Sequence, residues 1–342
     1  MRTTLRSRAA LLGLGVGLPL SALLLWLALR NADFDEVRSV LSEADAGLVV
    51  LAVAAMAAVY TGQAVRWRAI ARTPEIPNSQ FGEMVVSGVA VNNVLPGRVG
   101  DLLRARWLQV DARIPAGRAL ATVFVDRAFD VLALVTFLAI SLPFVSSAEW
   151  LRRIAVGGLV LLVALGLVLV AARAYTRFRT RERRGHRSFL RRIARDTLEG
   201  LADPIDRLRA VVLAGISLAT WATWGLAAWF AAQSVGIELS PVEVIFITAV
   251  INLGVAIPSS PGFIGTYQWL GVSALSLFDV GTDEALAFAI LMHAVWYVPT
   301  TLVGAALLLR RTVGTMGRSR VSPASTAEYG ADSRHTAPDE RA

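Results

Sequence analysis

The chain has 342 residues, of which 55% are hydrophobic and only 18% charged, and a formal net charge of +8. Its mean hydropathy of +0.56 is too high for an ordinary soluble domain of this length. It contains no cysteine, which excludes disulfides, thiol catalysis and cysteine-ligated metals. All of its basic residues other than histidine are arginines, and they stand in blocks beside long apolar runs. The positive-inside rule and anionic headgroups account for that pattern better than nucleic acid does, so no nucleic-acid partner is expected. The fold class this implies is all-α, a polytopic helical membrane protein.

In chain order, Met1–Arg8 is basic and Ala9–Leu29 is apolar for about 20 residues, enough to span. A retained first helix is favoured over a signal peptide, because no small-x-small cleavage site follows. Phe34–Ala46 mixes acids with apolar residues and is expected at the interface. Gly47–Val65 spans again, ending on Arg66-Trp67-Arg68, which reads as an aromatic and cationic interface anchor. Phe81–Leu95 is short for a span and suits a re-entrant half-helix. Arg98–Arg118 is basic and amphipathic, Ala119–Leu142 is a third span and Ile154–Ala172 a fourth. Arg173–Arg209 reads as a cytoplasmic loop, and Ala210–Ala232 is a fifth span. Pro241–Ile257 is a second short segment, resumed over Tyr267–Phe278. Ala285–Leu309 is the last span, and Arg318–Ala342 reads as a disordered tail. The expected organisation is thus a transmembrane domain over 1–317, with a basic loop at 173–209 and a tail at 318–342. Six spans plus two re-entrant hairpins put both termini and the large arginine loop in the cytoplasm.

Two breaks interrupt the apolar segments. The first is Asn92-Asn93-Val94-Leu95-Pro96-Gly97-Arg98-Val99-Gly100-Asp101, and the second runs from Pro258 through Pro261-Gly262 to Gly265. Proline and glycine stop a helix, and in a membrane such a break survives only where protein or a wet cavity satisfies the freed backbone. Both breaks contain Pro-Gly-x-(Val/Ile)-Gly. Glu83 precedes Asn92 by nine residues and Glu243 precedes Asn252 by nine. Together with the alternating topology this predicts an inverted repeat whose broken helices meet at a binding site, against the alternative that the match is coincidence.

Asp126 and Asp130 lie four apart and share a helix face with Arg127. A charge at mid-bilayer costs several kcal/mol unless paired or wet, so the cluster either braces the span by an internal ion pair or touches a substrate headgroup. Arg98, Arg104 and Arg106 either snorkel to lipid phosphates or bind a phosphate within a site. Asn252 and Gln268 can bind a headgroup or cap broken helix ends. His293, beside Trp296 and Tyr297, reads as a packing histidine rather than a proton carrier, and Trp221, Trp224 and Trp229 as packing. The sequence shows no Gly-rich phosphate loop, no metal-type histidine pair and no nucleophile elbow. On those grounds an enzyme, a cofactor and a metal site are not expected.

In combination, Asn92-x3-Pro96-Gly97-Arg98-x-Gly100-Asp101-x2-Arg104, Asp126-Arg127-x2-Asp130 and Pro261-Gly262-x2-Gly265 resemble the lysylphosphatidylglycerol synthase transmembrane-domain family, also called flippase-like integral membrane proteins. The family often has Glu where Asp126 and Gln268 stand. The resemblance implies a bacterial cytoplasmic (inner) membrane and a lipid substrate. It further implies a lipid translocase working through a polar site between the two hairpins. The residues expected at that site are Asn92, Asn93, Pro96, Gly97, Arg98, Gly100, Asp101, Arg104, Asp126, Arg127, Asp130, Asn252, Pro261, Gly262, Gly265, Gln268 and His293. The best-understood members carry a soluble aminoacyl-transferase domain for which 342 residues leave no room, so synthase activity is not expected. Stand-alone relatives sit beside glycosyltransferases, which implies a lipid-modifying transferase as partner. The alternative functions are a membrane enzyme or accessory subunit of lipid aminoacylation or glycosylation, and a structural scaffold. An oligomer is compatible with the sequence.

Overall fold

The computed structural model describes residues 18–95, 98–145, 189–202, 206–255 and 260–319, with scattered residues between 156 and 171. Among these it is helical, without strands. A short apolar helix α1 (Leu18–Leu29) leads to α2 (Phe34–Ser42), whose N-terminal N–H groups on Asp35 and Glu36 are accepted by the Asp33 side chain. The Asp45 carboxylate accepts from Leu48 N–H and starts α3 (Ala46–Ala71). Next come α4 (Asn78–Val94), α5 (Val99–Asp111) and α6 (Ala116–Ser141). After the partly described stretch, α7 (Phe189–Ala202) and α8 (Arg207–Ser234) follow. Helix α9 (Pro241–Gly254) opens on a reciprocal Ser240–Glu243 cap with Pro241 in its first turn, the local signature of a helix start. After the second break, α10 (Thr266–Leu275) and the long α11 (Thr282–Ser319) close the described chain.

Three helices among the described residues are long and apolar enough to cross a membrane: α3, α8 and residues 282–312 of α11. Helix α6 has 26 residues, about 39 Å at 1.5 Å per residue, but its charged cluster interrupts the apolar run. Most of the expected fourth span, the tail beyond Ser319 and the chain before Leu18 lie outside the described residues. The arginine-rich stretch after Arg173 is not loop throughout. It contains α7, which lies so close on α6 that a Cβ on Gly117 would stand 2.4 Å from Ile193 O. The sequence expectation missed α7 because the stretch around it is rich in arginine, although its apolar residues recur at helical spacing.

Among the described residues two apolar cores stand out beside two small clusters. The larger gathers α3, α6, α8, α9, α10 and α11 around Trp224, Phe246 and Phe288. The smaller joins the end of α3 to α4, α5 and the start of α6 around Trp67, Phe81, Met84 and Leu108. Small residues allow the close helix approaches expected where lipid supplies no hydrophobic drive. A Cβ on Gly62 of α3 would meet the Thr220 hydroxyl of α8 at 2.5 Å, and one on Gly304 of α11 would meet Ala90 of α4 at 2.4 Å. Helix α4 packs on α11 while α9 packs on α6. The two short segments therefore each lie against the long helix of the other half.

The two glutamates that pair the halves in sequence do different work. Glu83 forms an ion pair with Arg310, whereas Glu243 caps its own helix.

Candidate functional site

A six-membered ion cluster ties α3, α5 and α6 together. Asp126 accepts from Arg66 Nε at 2.9 Å and from Arg104 Nη2 at 3.2 Å. Asp130 accepts from Arg66 Nη2 at 2.7 Å, Arg127 Nη1 at 3.0 Å and Trp221 Nε1 at 3.0 Å. Asp101 accepts from Arg127 Nη2 at 2.9 Å and lies 3.7 Å from Arg104 Nη1. Three arginines thus face three aspartates. Arg66 and Arg104 are fully buried, while the Arg127 side chain is 30% exposed. Charges in such surroundings persist only when paired and hydrogen-bonded. Arg66 also donates to Ser217 Oγ of α8 at 3.0 Å, and the Arg104 guanidinium lies 4.3 Å above the Trp67 ring.

This geometry answers the ion-pair question. Arg127 is neutralised within the protein, by Asp130 and also by Asp101. It also corrects the view of Arg66-Trp67-Arg68 as an interface anchor. Helix α3 runs on to Ala71, so Arg66 sits more than a turn inside it and reaches the aspartates. Trp67 is buried and donates to Thr122 Oγ1 at 3.0 Å. Trp221, read from sequence as packing, is a hydrogen-bond donor to the cluster. Charge counting does not expose Arg66, because Arg98, Arg104 and Arg127 already supply a cation for each of the three aspartates.

The open side of the cluster faces a cavity of about 230 Å³ lined by Asn92, Asn93, Arg98, Asp101, Arg127, Asp130 and Asn252, seven of the residues expected from sequence. Tyr60, Gln63, Trp221, Trp224, Tyr267 and Trp296 complete much of its wall, and sequence reasoning placed none of these in the site. Arg98 stands at the start of α5 in the left-handed region, with φ 54°, and is solvent-accessible.

The other expected residues take structural positions. Arg104 and Asp126 lie buried behind the wall. Gly100 lets α5 touch α4, since a Cβ there would stand 1.9 Å from Gly88 O, and its N–H donates to Asn92 Oδ1 at 2.7 Å. On the cavity wall itself, Asn93 Nδ2 donates to Thr301 Oγ1 at 2.8 Å. Gln268 is a cap: its Oε1 accepts from Gly265 N–H at 2.7 Å, and its Nε2 lies 2.8 Å from His293 Nδ1. His293 stacks on Trp296 and packs against Tyr267 and Tyr297, and neither it nor Gln268 lines the cavity. Pro261 begins a short 3-10 turn, and Gly262 and Gly265 both have positive φ. Pro96 and Gly97 lie outside the described residues. The second break nevertheless reaches the end of α4, because a Cβ on Gly262 would lie 3.2 Å from Asn93 O and 2.7 Å from the Tyr297 ring. Among the described residues no group of His, Asp and Glu could hold a metal ion.

A helical membrane protein with a charged cavity walled by broken helices is the class these features define. The chain belongs to the family described as the lysylphosphatidylglycerol synthase TM region, whose model matches residues 11–304. It is similar to "Glycosyltransferase AglD" of Haloferax volcanii, 28% identical over 367 aligned residues that cover 93% of this chain and 56% of that protein. It is also similar to "UPF0104 membrane protein MJ1078" of Methanocaldococcus jannaschii, 25% identical over 222 residues, 64% of this chain and 92% of that protein. The chain therefore spans about half the length of the first of these relatives. The name of that relative corrects the expectation that the chain is not an enzyme, which rested on missing catalytic motifs. Multi-pass residence in a membrane follows from the family and the apolar helices.

Proposed function

We propose that the chain is a lipid translocator, in which a headgroup occupies the cavity at the ion cluster while the acyl chains remain in an adjoining apolar groove. One observation carries this reading. A groove of about 330 Å³ between α3, α4 and α11, lined by Val53, Val86, Pro299 and Val303 among others, shares Met56 and Tyr60 with the polar cavity. An amphiphile can straddle that shared wall, with each end in matching surroundings. Helix α11 contains Pro299 at the groove, where the missing N–H breaks one backbone hydrogen bond and loosens the helix.

The reciprocal packing of α4 on α11 and α9 on α6 supports an inverted repeat, with α3 and α8 paired about its pseudo-two-fold axis. Six spans with both termini and α7 in the cytoplasm is the topology that fits the arginines, Arg152 and Arg153 excepted. A cysteine introduced at Glu199 should then react with an impermeant reagent only in broken cells, and labelling in intact cells would reject that topology.

Photo-crosslinking tests the straddling geometry. A lipid with its diazirine in the headgroup should label cavity residues such as Gln63 or Asn252. One with the diazirine in the acyl chain should label Val86 or Val303. Identical labelling patterns from the two probes would sink the model.

The relative named a glycosyltransferase favours a second reading, in which the cavity holds the lipid carrier of a group-transfer reaction. Transfer of radiolabelled sugar to lipid by purified protein, alone and with a soluble transferase, tests it. Absence of product in both arms would reject it.

A further inference from the structure

We infer that the cavity selects a lipid whose headgroup has one negative charge on a phosphodiester and is otherwise uncharged and hydroxylated. This rests on the lipid-binding reading above and names the class of lipid. Every aspartate of the cluster is bonded to arginine: Asp126 to Arg66 and Arg104, Asp130 to Arg66 and Arg127, Asp101 to Arg127. Three aspartates therefore face three arginines with no carboxylate left over for an ammonium group. Arg98 is the fourth arginine. It lies on the cavity wall and is exposed there, and it has no ion pair with a described residue. The two carboxylates nearest the wall, Asp101 and Asp130, are already held by Arg127. One positive charge thus remains over, on a fork-shaped donor suited to bidentate phosphate. Its backbone sits at φ 54°, which costs a non-glycine residue free energy. That cost is tolerable where the position is set by the site rather than by the helix.

The remaining polar atoms are neutral. Gln63 lines the cavity without a protein hydrogen bond among the described residues. Asn252 uses its Nδ2 on Thr248 O and leaves its Oδ1 unspent. Tyr267 Oη and Trp296 Nε1 are buried on two side chains of the cavity wall, with no side-chain partner but each other. Unspent amide groups, beside a phenol–indole pair that has no other partner, match hydroxyls, and they leave a second ionic group unsatisfied. An aminoacylated headgroup brings an ammonium group to a wall whose excess charge is already positive, so it is disfavoured.

The test uses purified full-length protein in neutral detergent, with binding read from the shift in thermal unfolding as lipid in mixed micelles is titrated. The probes are phosphatidylglycerol, its lysyl ester, phosphatidylcholine and phosphatidylmethanol, which keeps the phosphodiester but has no headgroup hydroxyl. Phosphatidylglycerol should bind at least tenfold more tightly than the lysyl ester or phosphatidylcholine, and severalfold more tightly than phosphatidylmethanol. Arg98→Gln should lose about ten- to hundredfold of that affinity, the range for a charged hydrogen bond, and Arg98→Lys should retain the preference for an anion. Arg98→Glu should reverse the preference toward the lysyl ester. Soluble glycerophosphoglycerol and inorganic phosphate should compete poorly, because neither has chains.

Equal or tighter binding of the lysyl ester overturns the charge assignment, as does unchanged affinity in Arg98→Gln. Equal binding of phosphatidylmethanol overturns the hydroxyl part, and full competition by glycerophosphoglycerol overturns the lipid part. Binding is measured without transport, so a protein that shows this preference but moves no lipid would refute translocation alone.

Discussion

Arg66 gives the sharpest test of the ion cluster. It donates to Asp126 at 2.9 Å, Asp130 at 2.7 Å and Ser217 at 3.0 Å from a fully buried position. Arg66→Met fills similar volume without charge, leaving Asp126 with Arg104 alone and Asp130 with Arg127 and Trp221. Breaking a buried pair from one side costs about 3–5 kcal/mol, because a carboxylate stays behind without compensation. Both aspartates keep another partner, so the lower end, about 3 kcal/mol, is expected. That is roughly a hundredfold in the ratio of folded to unfolded protein. Arg127→Met should cost less, since its side chain is 30% exposed and water screens the loss. Adding Asp126→Asn to Arg66→Met removes one stranded charge and should recover part of the loss. The assay is reversible denaturation of the detergent-solubilised protein, with folded yield by size exclusion. Arg66→Met as stable as the parent, or a double variant additive within about 0.5 kcal/mol, would refute the buried pairing.

Trp221→Phe keeps the aromatic bulk but removes the donor to Asp130, and should destabilise by about 1–3 kcal/mol in the same denaturation assay. Gly100→Ala forces a Cβ to within 1.9 Å of Gly88 O, so α4 and α5 must separate. A loss of about 1–3 kcal/mol should appear as a lower unfolding midpoint, and an unchanged midpoint would contradict the contact. Gly262→Leu places a side chain against Tyr297 and Asn93 O at a positive φ. It should abolish lipid movement while the protein still inserts and runs as a single species, measured by vesicle flotation and a transport assay.

Much of this was legible in the sequence, for physical reasons that differ by residue. The break after Asn92 and the pattern Asp126-Arg127-x2-Asp130 stood out because charge and Pro-Gly are costly inside apolar runs. Seven of the expected residues meet at one cavity. Arg66 was hidden because an arginine next to tryptophan at the end of an apolar stretch matches an interface anchor. Only the continuation of α3 to Ala71 turns it inward. Gln268 looked free to bind a ligand, yet an amide three residues after a positive-φ glycine is equally suited to cap the helix it begins. Tyr60, Gln63 and Trp224 carry no local signal, since their place on the cavity wall depends on how α3 and α8 pack. Helix α7 was obscured by the arginine-rich sequence around it.

The measurement closest to the central claim is lipid movement in reconstituted vesicles. Purified protein is incorporated into liposomes containing a trace of fluorescent phosphatidylglycerol, and an impermeant reductant bleaches the outer leaflet. Protein-free vesicles should lose about half the signal. Vesicles containing the protein should lose nearly all of it, and those containing Gly262→Leu should behave as protein-free ones. Loss of only half the fluorescence, from vesicles in which the parent protein is shown to be folded and inserted, would contradict translocation.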